Sequence, residues 1–98
     1  MDNSNEYDIA VSLYTSYATY YDEYENDFSK AEAAFLNAIN AGKKDNEPAL
    51  KMNLLDVYKA FSDFYEKHNK LDKSVAYLKS YIDLNTEIYN EEQNDILR

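Results

Sequence analysis

Residues 14–38 read YTSYATYYDEYENDFSKAEAAFLNA, and this stretch decides the fold. Tyr14, Tyr17, Ala18 and Tyr21 follow one another at helical steps, while Ser12, Thr15, Ser16 and Thr19 gather at i, i+3, i+4, i+7 on another side. The aromatic and β-branched content would suit strands, but strict alternation fails at Ala18-Thr19-Tyr20-Tyr21. Working outward, Ile9, Val11, Leu13, Tyr20 and Tyr24 widen the apolar side into two adjoining stripes over residues 7–24, which predicts a first helix. Asn26-Asp27 supplies a turn and a cap. Phe28, Ala31, Phe35, Ala38 and Ile39 then predict a second helix closed by Gly42 as its C′ residue.

Lys43 to Asn46 is a polar connection, and Asn46-Glu47-Pro48 reads as a cap followed by a first-turn proline. Leu50, Leu54, Tyr58, Phe61, Phe64 and Tyr65 predict a third helix, broken at Lys67-His68-Asn69-Lys70. A fourth helix starts near Leu71 and ends between Glu91 and Leu97. It turns Val75, Leu78, Tyr81, Ile82, Ile88 and Tyr89 toward the third helix on one broad side. Short connections make sequential helices antiparallel neighbours. The expected fold is all-α, with two helix-turn-helix hairpins in one domain over residues 1–98.

Composition agrees and narrows the function. The 98 residues are 45% hydrophobic and 30% charged, enough apolar material for one small core. One Gly and one Pro cannot punctuate a β-sandwich or build a phosphate-cradling loop. With no Cys and a single histidine, His68, there is neither a disulfide framework nor a multi-ligand zinc site. The net charge of −9 opposes nucleic acid and anionic lipid surfaces. No apolar run approaches the roughly 18 residues needed to span a bilayer, and the opening residues 1–6 lack the basic and apolar regions of a secretory leader, so a cytoplasmic location is expected. Charge is uneven: residues 1–42 carry eight acids and only Lys30, residues 43–82 eight lysines and six acids, residues 83–98 five acids and Arg98.

The chain also repeats itself at about 43 residues. Tyr14, Tyr17, Ala18 and Tyr21 align with Tyr58, Phe61, Ser62 and Tyr65, and Phe28, Ala31, Phe35 and Ala38 with Leu71, Ser74, Leu78 and Tyr81. In each unit a small residue sits where a partner helix must come close, with rings on either side to fill the gap. On these residues the chain resembles the tetratricopeptide repeat, with repeat 1 at about 7–42 and repeat 2 at about 47–91. It departs from the pattern in having Tyr81 at a position usually small, no closing proline, and a longer connection from Gly42 to Pro48. Residues 65–92 also resemble, more distantly, the last repeat of helical sensory regions in bacterial regulators and sensor proteins. That second likeness implies a dimerisation or signal-transmitting segment of a larger signalling protein as the alternative function.

The tetratricopeptide resemblance implies a protein-protein interaction module that binds a peptide or partner helix on a concave face lined by the first helix of each unit, without catalysis or cofactor. The lining positions that carry over are Ser12, Thr15, Ser16, Thr19 and Asp22 in the first unit and Asp56, Lys59, Asp63 and Lys67 in the second. Independently, these are the residues left over once the apolar stripes are buried. A stripe of Ser and Thr is a poor choice for a helix seeking only solubility, since Lys, Glu and Ala favour helix more. Tyr77, Leu84 and Ile88, at steps of seven and four, form a side of their own on the fourth helix, expected either to pair in a homodimer or to pack against a following helix, or, through Tyr77 and Leu84, to cover the chain's own groove. No catalytic constellation stands out. His68 reads as an exposed turn residue, and Asp22, Glu23, Glu25 and Asp27 read as a solvated helix end without the glycine of a calcium loop. The tyrosines read as core.

Overall fold

The computed structural model describes residues 4–97, with side chains over 6–93, as four α-helices and no strand among the described residues. They are α1 (Ser4–Glu23), α2 (Phe28–Gly42), α3 (Pro48–Lys67) and α4 (Leu71–Leu97). Residues 1–3, part of the stretch read for a leader, lie outside the described residues. No helix among the described residues is long and apolar enough to cross a membrane. The chain divides into two units at Val57/Tyr58, inside α3.

In the first unit, α1 and α2 pack as a hairpin. Its turn forms because Asn26 accepts a left-handed backbone, φ 53°, which asparagine tolerates better than most residues. The Asp27 N–H donates to the Tyr21 carbonyl at 2.9 Å, and the Asp27 carboxylate caps α2 by accepting from the Lys30 N–H at 3.0 Å. Ala18 and Ala31, the small residues of the repeat, are both fully buried. On α2, Ala31, Ala34, Phe35, Ala38 and Ile39 form the buried stripe. On α1 the buried side is narrower than its composition suggests. Val11 and Ala18 are inside and Tyr14 and Tyr21 half-buried, but Ile9, Leu13, Tyr17, Tyr20 and Tyr24 are exposed. The tyrosines are therefore only partly core, because a helix covers about a 100°-wide stripe and α1 carries rings well beyond that width. Outside it, Tyr20 and Tyr24 stack on each other at 5.9 Å.

Gly42 does not act as a left-handed cap; no glycine has positive φ. It is the last residue of α2 and is buried, and a Cβ there would lie 2.9 Å from Leu54 Cδ1 and 3.1 Å from Leu54 Cβ. The glycine is required by the close approach of the first half of α3.

In the second unit, the end of α3 turns through Asn69 at φ 62°. The Lys70 N–H donates to the Tyr65 carbonyl at 2.8 Å and the Asn69 N–H to the Glu66 carbonyl at 3.0 Å, the paired bonds of a Schellman ending. The contact between α3 and α4 is set by Ser62 and Ser74. Their hydroxyls lie 3.0 Å apart, and each also reaches the other residue's carbonyl, at 2.7 and 2.8 Å. Both are buried, and among the described residues no buried side-chain polar atom lacks a partner. Small, mutually satisfied side chains let two backbones approach closely at no desolvation penalty. Around them, Phe61 is fully buried and meets Tyr65 at 4.5 Å and Tyr77 at 4.4 Å. His68, expected in open solvent, is half-buried edge-on to Phe64 at 4.9 Å.

The serine lock also fixes the rotation of α4, and it does so differently from the reading of periodicity alone. Tyr77, expected with Leu84 and Ile88 on a free self-association side, instead lies one turn beyond Ser74 and enters the rings of Tyr58, Phe61 and Tyr65, because the serine contact rotates that side toward α3. Leu84 and Ile88 lie on the same side, half-buried. Val75, Leu78, Ile82 and Tyr89, expected against α3, are exposed.

Two substitutions test these contacts. Gly42→Ala should gain about 1 kcal/mol of helix propensity but lose about 1–3 kcal/mol to overpacking against Leu54, for a net loss near 1 kcal/mol in urea unfolding. Ser74→Leu should cost about 3 kcal/mol or more, because it wedges the helices apart and strands the Ser62 hydroxyl. Ser74→Ala should cost about 1 kcal/mol in the same assay.

Candidate binding groove

Within the first unit, α1 and the first half of α3 bound a groove of about 260 Å³ lined by Val11, Ser12, Thr15, Asn53, Asp56 and Val57. Its floor is apolar, since Val11 and Val57 are almost completely buried. One wall carries hydroxyls. Thr15 Oγ1 donates to the Val11 carbonyl at 2.7 Å, and one turn on, Thr19 Oγ1 donates to the Thr15 carbonyl at 3.2 Å. These bonds use the hydroxyl protons, so Thr15, the one of the two that lines the groove, offers it an acceptor oxygen rather than a donor. The other wall carries an amide and a carboxylate. Asn53 Nδ2 donates to Asp8 Oδ1 at 2.8 Å across to α1, which holds the Asn53 side chain in place. Asp56 is exposed and has no hydrogen bond or ion pair among the described residues. The groove therefore presents a greasy floor between acceptor-rich rims.

No protein-family model, curated protein or solved structure matches this chain.

Of the residues expected to line a binding face, the structure brings Ser12, Thr15 and Asp56 together in the groove. Ser16 and Thr19 are exposed farther along α1, and Asp22, at its last turn, is half-buried. Lys59 and Asp63, in the second unit, pair with each other at 2.8 Å, one turn apart on α3. The hydrogen bond from Lys59 to Asp63, then their mutual attraction, pushes the lysine up from its ordinary value. Both side chains are at least half exposed, so the pair adds little stability, and it leaves neither charge isolated. Lys67 is exposed in the last turn of α3. Burial pushes the Tyr58 phenol above its usual value. Among the described residues no three His, Cys, Asp or Glu side chains are grouped to hold a metal.

Asn53 is absent from the sequence expectation although it lies one turn from Val57 and three residues before Asp56. The signal available was its position: a polar residue on the stripe between Leu50 and Val57, both of which are buried.

If Asp8 and Asn53 hold α1 to α3, a double-mutant cycle with Asp8→Ala and Asn53→Ala should show a coupling of about 1 kcal/mol in chemical denaturation. Strict additivity would mean that the bond contributes nothing.

Proposed function

We propose that the chain is a non-catalytic, cytoplasmic protein-binding module of tetratricopeptide type, taking an extended peptide segment in the groove between α1 and the first half of α3. The observation that carries this reading is the unpaired Asp56 carboxylate beside an apolar floor and the Ser12 and Thr15 hydroxyls. Such a site asks for an apolar side chain on the floor and a lysine or arginine at Asp56, with peptide N–H groups donating to the hydroxyls. The net charge of −9 favours the same basic partner and disfavours nucleic acid. Burial of Ala18, Ala31, Ser62 and Ser74 at the repeat's small positions supports the family likeness.

The groove, at about 260 Å³, is small against the roughly 300–1,000 Å³ of small-molecule sites, a size that suits one or two peptide side chains rather than a whole ligand. Screening an array of 12-residue peptides should select sequences pairing an apolar residue with Lys or Arg. For a selected peptide, Asp56→Lys or Thr15→Glu should weaken binding about tenfold or more in fluorescence anisotropy, with the far-UV circular dichroism unchanged. An array that selects nothing, or binding indifferent to both changes, would reject the groove.

A further inference from the structure

The helix α4 has an uncovered side with a regular composition. Leu71, Val75, Leu78, Ile82, Asn85 and Tyr89 follow one another at steps of four, three, four, three and four, the spacing of a coiled-coil seam. The five apolar members are between 39% and 65% exposed, and Asn85 is exposed too. From Leu71 to Tyr89 the seam is about 27 Å long. Tyr77 and Ser74 commit an adjoining side of α4 to α3, so the seam is not the face that holds the hairpin together. An apolar strip of this length is seldom left to water.

Charge decides what fits it. The first half of α4, with Lys70 just before it, carries Lys73 and Lys79 against Asp72, whereas residues 83–93 carry Asp83, Glu87, Glu91 and Glu92 and no base. A parallel copy would set acids beside acids along the second half. An antiparallel copy sets the lysine half of each helix alongside the acidic half of the other, so that the net fields of the two halves, rather than contacts across the seam, complement each other. The exposed strip of α1 is a poorer occupant, because Asp8, Asp22 and Glu23 on that helix would repel the acidic half of α4.

We infer that α4 is a homodimerisation helix, pairing antiparallel with α4 of a second copy through the seam Leu71, Val75, Leu78, Ile82, Asn85 and Tyr89. The two-fold axis passes between Leu78 and Ile82. Leu78 then meets Ile82 of the second copy, Leu71 meets Tyr89, and Asn85 lies opposite Val75 toward each end, where water reaches its amide. A closed two-fold contact of this kind uses the same patch on both partners and stops at two. The seam shares no residue with the groove beside Asp56, so failure of the dimer and failure of peptide binding would be separate results.

Sedimentation equilibrium of the full chain should show a reversible monomer–dimer equilibrium. Leu78→Glu and Val75→Lys, both at exposed positions, should each raise the dissociation constant about tenfold or more while helicity is retained. Because the chain has no cysteine, orientation can be read by disulfide trapping. Oxidising an equimolar mixture of Leu78→Cys and Ile82→Cys chains should give chiefly the mixed dimer, and Leu71→Cys alone should give almost no cross-link. A chain that stays monomeric up to about 500 µM, efficient cross-linking of Leu71→Cys to itself, or an equal loss of dimer from Tyr17→Glu on α1 would overturn the proposal.

Discussion

Each helical hairpin depends on a place where two backbones come closer than ordinary side chains allow. In the first unit Ala18 and Ala31 are fully buried in the hairpin of α1 and α2. In the second, Ser62 and Ser74 touch and satisfy one another's hydroxyls and carbonyls. At a close approach, dispersion from the surrounding rings is strongest, and any added methylene must be accommodated by backbone movement. Serine performs the alanine role only because the pairing is reciprocal. A lone buried hydroxyl there would lose its water and gain nothing. Gly42 against Leu54 is the same constraint at the start of α3, with even a methyl group excluded.

These contacts also explain which faces of the helices are free to do something else. Once Ser74 is fixed, Tyr77 has no choice but to enter the ring cluster, and the exposed seam on the adjoining side of α4 follows from helical geometry. Once Ala18 is buried, Thr15, three residues earlier, lies near the edge of the contact, beside Val11 and above the groove. The candidate site and the candidate interface are thus the leftover sides of helices whose rotation is set by four small residues.

Most of the fold was legible. The polar breaks, the Asp27 cap, the first-turn Pro48 and the three-and-four spacing gave four helices with boundaries close to those observed, since caps and turns act locally and leave local marks. Helix rotation was harder to read. Helices α1 and α4 each carry apolar residues around more than half their circumference, and periodicity alone cannot say which side a partner covers. Periodicity turned Val75 and Ile82 toward α3 and Tyr77 away from it, the reverse of what is observed, and Tyr17 looked as buried as Tyr14. Gly42 was readable as important but not for the right reason, because a close contact with a distant Leu54 has no local signature. The hydroxyl wall of the groove was visible as a Ser/Thr stripe. Asn53 was not, because its place is fixed by Asp8, 45 residues away in sequence.

Both hairpins reverse direction at an asparagine in the left-handed region, Asn26 and Asn69, where many proteins would use glycine. With a single Gly in the whole chain, the denatured ensemble is unusually stiff at these corners, and less disorder is surrendered when they form. The folded backbone bears a modest strain at two points in exchange for a narrower starting ensemble. Local reversal at these corners therefore begins from a chain already biased toward it, a useful property for a small protein whose individual hairpins bury little surface.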